Sequence, residues 1–339
     1  MTNFSELTTL HVGGPAQKVL RVQTEKELIS SVQEADESET PLLIIGGGSN
    51  LLVADTGFIG TVIVVETRGN SYEIDACSGG MLQVAAGENW DELVAFTLEK
   101  KLANLESMSG IPGTVGATPI QNIGAYGHEV AEVIARVRTY DRIEKAVKTF
   151  TADQCEFGYR DSIFKRERDR YVILDVTFQL RRGESSMPIK YQELADSLGV
   201  KLDSRVPTVD LRRAVLALRA KKGMLINETD QNWSAGSFFV NPIISADRAS
   251  QLPLETPRWV QADGTVKIPA AWLLEQAGVV KGESKNGARI STAHVLALTN
   301  SGSATAEDIV DLARSARQRV QDKFGITLVP EVRFVGLEL

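Results

Sequence analysis

Residues 110–127 read Gly-Ile-Pro-Gly-Thr-Val-Gly-Ala-Thr-Pro-Ile-Gln-Asn-Ile-Gly-Ala-Tyr-Gly, a composition that suits neither a helix nor a strand. Glycines 110, 113, 116, 124 and 127 permit positive φ and close approach of backbone to a ligand, while Pro112 and Pro119 remove amide donors and stiffen the path. Thr118, Gln121 and Asn122 supply neutral donors and acceptors, which fit a polar, uncharged heteroaromatic ligand better than a metal. Ile111, Val115, Ile120 and Ile123 would be poor linker residues, so the stretch predicts a folded loop.

A second glycine cluster lies upstream. Residues 42–45 read as a buried strand running directly into Gly46-Gly47-Gly48-Ser49-Asn50, where successive amides can wrap a phosphate or pyrophosphate as an anion-binding nest. Gly46 and Gly48 supply the first two glycines of a Rossmann fingerprint, and Glu66, at the end of a strand over 61–65, stands at about the right distance to hold a ribose. Position 51 is Leu where that fingerprint needs Gly, and residues 49–55 make a poor helix opening. Both a Rossmann cradle and a flavin or nucleotide cradle of another fold stay open here. The absence of Gly-Lys-Ser/Thr excludes a P-loop.

Around these loops the chain alternates helix and strand signals. Thr24 with Glu27, and Asn89 with Glu92, have the spacing that opens helices, the second over 90–100; Thr305 with Asp308 opens a long helix with Ile309, Leu312, Ala316 and Val320 on its buried stripe. Val133, Ala135, Val137 and Thr139 alternate as a half-buried strand does, as do Val172, Leu174, Val176, Phe178 and Leu180. Between them, Tyr159-Arg160-Asp161-Ser162 reads either as a solvated turn or as a placed arginine. Residues 207–220 form an amphipathic helix on Leu211, Val215 and Leu218, ended by Gly223 behind Lys221 and Lys222. Ser237, in Gly236-Ser237-Phe238-Phe239, is either a hydroxyl presented in an apolar pocket or a satisfied serine in a bend; its flanks are not those of a hydrolase elbow. Further strands are expected near 295–298 and over 326–335, and Glu331 on pattern alone is an edge-strand surface acid.

The 339 residues, 43% hydrophobic and 24% charged, suffice for two or three domains with their own cores. A net charge of −7, with no basic run interleaved with aromatics, argues against a nucleic-acid partner. Cys77 and Cys155 lack a short spacing, and His11, His128 and His294 are scattered, so neither a disulfide framework nor a metal site is signalled. With no signal peptide and no membrane-spanning run, the expected location is the cytoplasm.

Taken as an ordered set, residues 46–52, 110–127, 159–165, 234–242 and 330–336 resemble the UDP-N-acetylenolpyruvoylglucosamine reductases, and the resemblance covers almost the whole chain. It implies an α+β protein of the vanillyl-alcohol-oxidase-like (PCMH-type) FAD-binding fold with an additional α/β substrate-binding domain. The implied boundaries are FAD-binding subdomains at 1–68 and 69–220, a substrate-binding domain at 221–325, and a C-terminal strand, 326–339, returning to the FAD-binding region. The cofactor residues would be Gly46, Gly47, Gly48, Ser49, Asn50, Gly110, Gly113, Gly116, Thr118, Asn122 and Gly124. Arg160, Ser237 and Glu331 would occupy the catalytic positions. Tyr191 looks like the tyrosine that folds over substrate in the longer family type, with Lys222, Asn241 and His294 as further substrate contacts. Lys221-Lys222-Gly223-Met224 departs from the Lys-Leu/Phe-Pro pattern of many members, which leaves either lysine open as the one that reaches in.

The implied activity is NADPH-dependent reduction, through noncovalent FAD, of UDP-N-acetylenolpyruvoylglucosamine to UDP-N-acetylmuramate for peptidoglycan, by a monomer acting on a small sugar nucleotide. Hydride from flavin N5 would reach C3, Arg160 would stabilise the enolate, Glu331 would act as a neutral acid, and Ser237 would protonate C2. His128 is the nearest residue that bears on the expectation of a noncovalent flavin.

Overall fold

The computed structural model describes residues 2–75, 79–226 and 232–339. Cys77 therefore lies outside the described residues. Contacts divide the chain into two compact units, one of Gln17–Gly47 with Ile59–Leu225 and the other of Met1–Ala16, Gly48–Phe58 and Ile226–Leu339.

Among the described residues the larger unit contains two main sheets and a two-stranded one, Gly124–Ala125 with His128–Glu129. Strand Phe58–Val65 lies between Ala16–Val22 and Leu42–Ile45 and pairs in parallel with the latter, Leu42 opposite Thr61 and Ile45 opposite Val64. The helix Glu25–Glu37 between them begins as its sequence requires: the Glu27 amide donates to Thr24 Oγ1 at 3.2 Å and the Thr24 amide to Glu27 Oε2 at 3.1 Å. The second sheet is antiparallel in the order Ala146–Thr151, Ile134–Asp141, Tyr171–Arg182, Gly79–Ala85, Asn70–Asp75, with Leu102–Ala103 also on Tyr171–Arg182. Trp90, Leu82, Leu102, Val115, Val176 and Phe178 form its core under the helix Trp90–Glu99. Asn89 caps that helix by accepting the Glu92 amide at 3.1 Å. A satellite cluster of Ile189, Leu194, Leu211, Val215 and Leu218 packs the helices Gln192–Leu198 and Thr208–Lys221 together.

The smaller unit is built on an antiparallel sheet ordered Trp233–Ser237, Ala297–Asn300, Ala288–Ile290, Ser284–Lys285. The helix Ala306–Phe324 contributes Ile309, Leu312, Ala316 and Val320 to its core, as the stripe predicts. The strand expected near 295–298 begins later, at Ala297, because the amides of Leu296 and Ala297 both turn back onto His294. Leu10, Val12 and Leu52 join the same core as Phe238 and Val332, and strand Arg333–Val335 pairs in parallel with Leu51–Val53.

That last pairing decides one open question. The glycines at 46–48 lead into the strand Leu51–Val53, where a dinucleotide fingerprint needs a helix, and Glu66 is ion-paired with Arg21 at 2.5 Å. The Rossmann reading is excluded.

Candidate active site

In the larger unit the two glycine loops touch. A Cβ on Gly46 would lie 2.1 Å from Thr114 Oγ1, and one on Gly47 would lie 3.0 Å from the Gly113 Cα, so only glycine permits this approach. The amides of Gly46, Gly47, Gly113 and Thr114 have no acceptor among the described residues. Four uncommitted donors on two loops in contact are what an anionic or carbonyl-rich ligand requires. Behind them, the Gly116 amide donates to Ala86 at 2.8 Å and the Trp90 amide to Gly113 at 3.1 Å, which anchors the loop to the core.

Two polar side chains of the loop, those of Thr118 and Asn122, are committed within the protein. Thr118 is buried with its hydroxyl donating to the Val115 carbonyl at 2.7 Å. Asn122 is buried at a φ of 42°, with Nδ2 donating to Glu129 Oε2 and to the Gly158 carbonyl at 2.8 Å each and Oδ1 accepting the Ala131 amide at 3.1 Å. Their backbone is engaged too: the Thr118 amide donates to the Val115 carbonyl at 3.0 Å and the Asn122 amide to the Pro119 carbonyl at 3.3 Å, while their carbonyls accept from the Ile123 amide and from Arg160. Gly110 donates its amide to Asp91 Oδ1 at 2.6 Å. Burial would raise the Asp91 pKa, but Arg212 and that amide outweigh it and hold the carboxyl below the usual range.

Arg160 is half-buried at a φ of 54°, an uncommon backbone state for a side chain of this size. Nη1 donates to the Asn122 carbonyl at 3.1 Å and Nη2 to the Gly124 carbonyl at 2.6 Å, while Lys165 Nζ donates to the Arg160 carbonyl at 2.7 Å. The tetrapeptide is thus a placed arginine rather than a solvated turn. Two loop carbonyls set the plane of its guanidinium.

Nearby in the same unit, Tyr126 and Tyr191 meet edge to face at 5.7 Å. Lys222 stands 5.9 Å over the Tyr126 ring and ion-pairs with Glu193, whereas Lys221 is exposed, so Lys222 is the lysine that belongs to this group. Burial pushes the Tyr126 hydroxyl up to about 12, with Glu193 adding to the effect. Arg219 was not anticipated. It is 9% exposed and donates to the carbonyls of Gly110 at 3.1 Å and Met224 at 3.0 Å, and burial pulls its pKa down. The signal was present, because position 219 continues the buried stripe of Leu211, Val215 and Leu218. His128 is buried with Nδ1 bonded to Glu132 Oε2 at 3.0 Å and Nε2 to the Pro188 carbonyl at 2.8 Å, so neither ring nitrogen is available for a covalent link.

The smaller unit carries Ser237 and Glu331. Ser237 ends its strand opposite Ala297, after a bulge and after Gly236 at a φ of 74°, and Phe238 and Phe239 behind it are buried. Its hydroxyl has no hydrogen-bond partner among the described residues. The Glu331 amide donates to the Phe238 carbonyl at 2.8 Å, Phe239 bridges Pro330, and Asn50 Nδ2 donates to the Glu331 carbonyl at 3.1 Å. Glu331 is therefore half-buried beside the residue that follows Ser237, not on a surface edge. Asn241 Oδ1 accepts the Ala270 amide at 2.8 Å at the start of helix Ala270–Gln276. His294 turns its Nδ1 to the Leu296 amide at 3.1 Å.

Comparison with known proteins gives this geometry its setting. The chain is 52% identical over 337 residues to the UDP-N-acetylenolpyruvoylglucosamine reductase of Cutibacterium acnes, covering 98% of this chain and 89% of that one. It belongs to the UDP-N-acetylenolpyruvoylglucosamine reductase family. The reductase of Thermobifida fusca is 48% identical over 348 residues, covering 99% of this chain and 97% of that one. The family model for the UDP-N-acetylenolpyruvoylglucosamine reductase C-terminal domain matches residues 227–335, and that for an FAD binding domain matches 16–149. The crystal structure of UDP-N-acetylenolpyruvylglucosamine reductase from Thermus caldophilus superimposes with a TM-score of 0.68 at 26% identity, covering 98% of this chain and 97% of that one. The protein is an FAD-dependent oxidoreductase of α+β class, with an FAD-binding domain matched over 16–149 and the family's C-terminal domain over 227–335. Among the described residues no helix is long and apolar enough to cross a membrane.

Proposed function

We propose that this member of the UDP-N-acetylenolpyruvoylglucosamine reductase family converts UDP-N-acetylenolpyruvoylglucosamine to UDP-N-acetylmuramate with NADPH, as a cytoplasmic monomer supplying peptidoglycan precursors. Residues 1–68 and 69–220 bind FAD, 221–325 the sugar nucleotide, and 326–339 return to the FAD-binding region. The observation that carries the reading is the Ser237 hydroxyl, which has no hydrogen-bond partner among the described residues and precedes Phe238, whose carbonyl accepts the Glu331 amide.

The uncommitted amides of Gly46, Gly47, Gly113 and Thr114 fit the polar groups of FAD, and the family resemblance adds Gly48, Ser49, Asn50, Gly110, Gly116, Thr118, Asn122 and Gly124 to the residues that would line it. FAD held there would supply two-electron hydride chemistry between NADPH and the vinyl C3 of the substrate. As C3 gains hydride, negative charge develops on C2 and its carboxylate. Arg160 presents a planar cation to that carboxylate, and a donor whose orientation is fixed beforehand stabilises the developing charge without reorganisation. Glu331 acts as an acid toward the enolate oxygen. Ser237 then donates its proton to C2; a hydroxyl is a weak acid, but a carbanion beside a carboxylate is basic enough to accept it. Tyr191, Lys222, Asn241 and His294 hold the remainder of the sugar nucleotide.

Purified protein should show a flavin spectrum that NADPH bleaches anaerobically and that the enolpyruvyl sugar nucleotide restores. Flavin should be released on acid precipitation. Colourless protein, or reduced protein reoxidised by air but not by the enolpyruvyl compound, would overturn the proposal.

A further inference from the structure

We infer that Glu193 sets the affinity of the site for its anionic substrate by occupying Lys222 whenever no substrate anion does so. This rests on the reading above, in which Lys222 contacts the sugar nucleotide. Lys222 follows the helix Thr208–Lys221, half-buried, with its ammonium bonded to the Glu193 carboxylate and 5.9 Å from the Tyr126 ring centroid. Glu193 stands in the first turn of the helix Gln192–Leu198, whose N-cap is Tyr191, and Tyr191 in turn meets Tyr126 edge to face. The two helices pack through Ile189, Leu194, Leu211 and Val215. Apolar packing therefore places the four groups together whether or not the ion pair is formed.

That independence makes the pair exchangeable. A phosphate or carboxylate arriving at Lys222 meets a carboxylate already in contact with the same compact cation, so Glu193 must turn away or repel it, and either weakens the incoming anion. The charge of Glu193 is also felt at both aromatic hydroxyls: after burial, it is the next influence raising Tyr191, and it contributes at Tyr126. Displacement of Glu193 thus alters the surroundings of the tyrosine two residues before it in the same step that frees Lys222.

Glu193→Gln keeps the shape and the position in the helix and removes the charge. Uridine 5′-diphosphate titrated calorimetrically into the flavin-loaded variant should bind about three- to fivefold more tightly than to the parent, the scale of a partly exposed ion pair. KM for the enolpyruvyl sugar nucleotide should fall in proportion, with kcat changing less than KM. In a Lys222→Met background the same substitution should have no effect. Unchanged or weaker diphosphate binding in Glu193→Gln would overturn the inference. Unaltered binding in Lys222→Met alone would overturn it together with the Lys222 contact it rests on. A parent that binds uridine 5′-diphosphate but does not reduce the enolpyruvyl compound would overturn the reductase reading, while tighter binding in Glu193→Gln would still support the Glu193 exchange.

Discussion

Arg160 Nη2 donates to the carbonyl of Gly124 at 2.6 Å, so the guanidinium proposed to face the substrate carboxylate is oriented by the same loop that is proposed to carry the cofactor contacts. The second bond, to the Asn122 carbonyl, makes the orientation two-point. A lysine ammonium has neither the plane nor the fork. Arg160→Lys should therefore lose about 2 to 4 kcal/mol of transition-state stabilisation for the sugar-nucleotide half-reaction, the scale of one preorganised donor. Flavin reduction by NADPH should be affected much less. Anaerobic stopped-flow absorbance separates the halves, and an unchanged turnover rate would remove Arg160 from the chemistry.

Ser237→Ala tests the proton donor. Hydride transfer from NADPH needs no proton at substrate C2, so bleaching of the flavin should keep near the parent rate. Reoxidation by the enolpyruvyl compound should slow by roughly 10²-fold or more, as expected on removing a positioned acid. A variant slow in both halves would indicate altered flavin geometry, and one slow in neither would return Ser237 to an ordinary serine at the end of a strand.

His128 gives a pH dependence with a definite sign. Burial opposes its charge, but the Glu132 carboxylate and the Pro188 carbonyl outweigh burial and raise its pKa above 6.5. The resulting stabilisation is complete below the unfolded-state value of about 6.5 and is lost as pH rises through the folded-state pKa. His128→Gln should be less stable than the parent by about 1 to 3 kcal/mol in the acidic range, the scale of hydrogen bonds to a charged group. Urea unfolding of both proteins between about pH 6 and about pH 9 should show the gap narrowing. A gap independent of pH would mean that shape rather than charge holds the Pro188 segment.

Two glycine substitutions separate crowding from backbone strain. A Cβ on Gly116 would lie 2.6 Å from the Ala86 Cβ and 3.1 Å from its backbone oxygen, with no side chain free to move aside. Gly116→Ala should cost about 1 to 3 kcal/mol, as overpacking does, and lower flavin retention. Gly199, with nothing within 4 Å but a φ of 66°, should cost only about 1 kcal/mol on conversion to Ala and leave flavin binding intact. Equal flavin loss in both variants would argue against the 110–127 loop as the cradle.

Helix starts and the unusual loop were legible in the sequence because their causes are local. Thr24, Asn89 and Thr305 each accept an amide three residues ahead, and the glycines and prolines of 110–127 forbid regular structure without reference to the rest of the chain. The ordered motifs were sufficient to point to the family. The partners of side chains across long separations were not legible: Asn122 reaches Gly158, Arg160 reaches Gly124, and Arg219 reaches Gly110. For the same reason the sequence did not show that the Thr118 hydroxyl binds Val115 or that the Asn122 side chain binds Glu129, Ala131 and Gly158, and Lys221 and Lys222 could not be told apart until packing placed one beside Tyr126. Only the folded chain decided that Leu10, Val12 and Leu52 share a core with Phe238 and Val332. Apolar periodicity says that a face is buried; because the hydrophobic effect is not directional, it does not say against what.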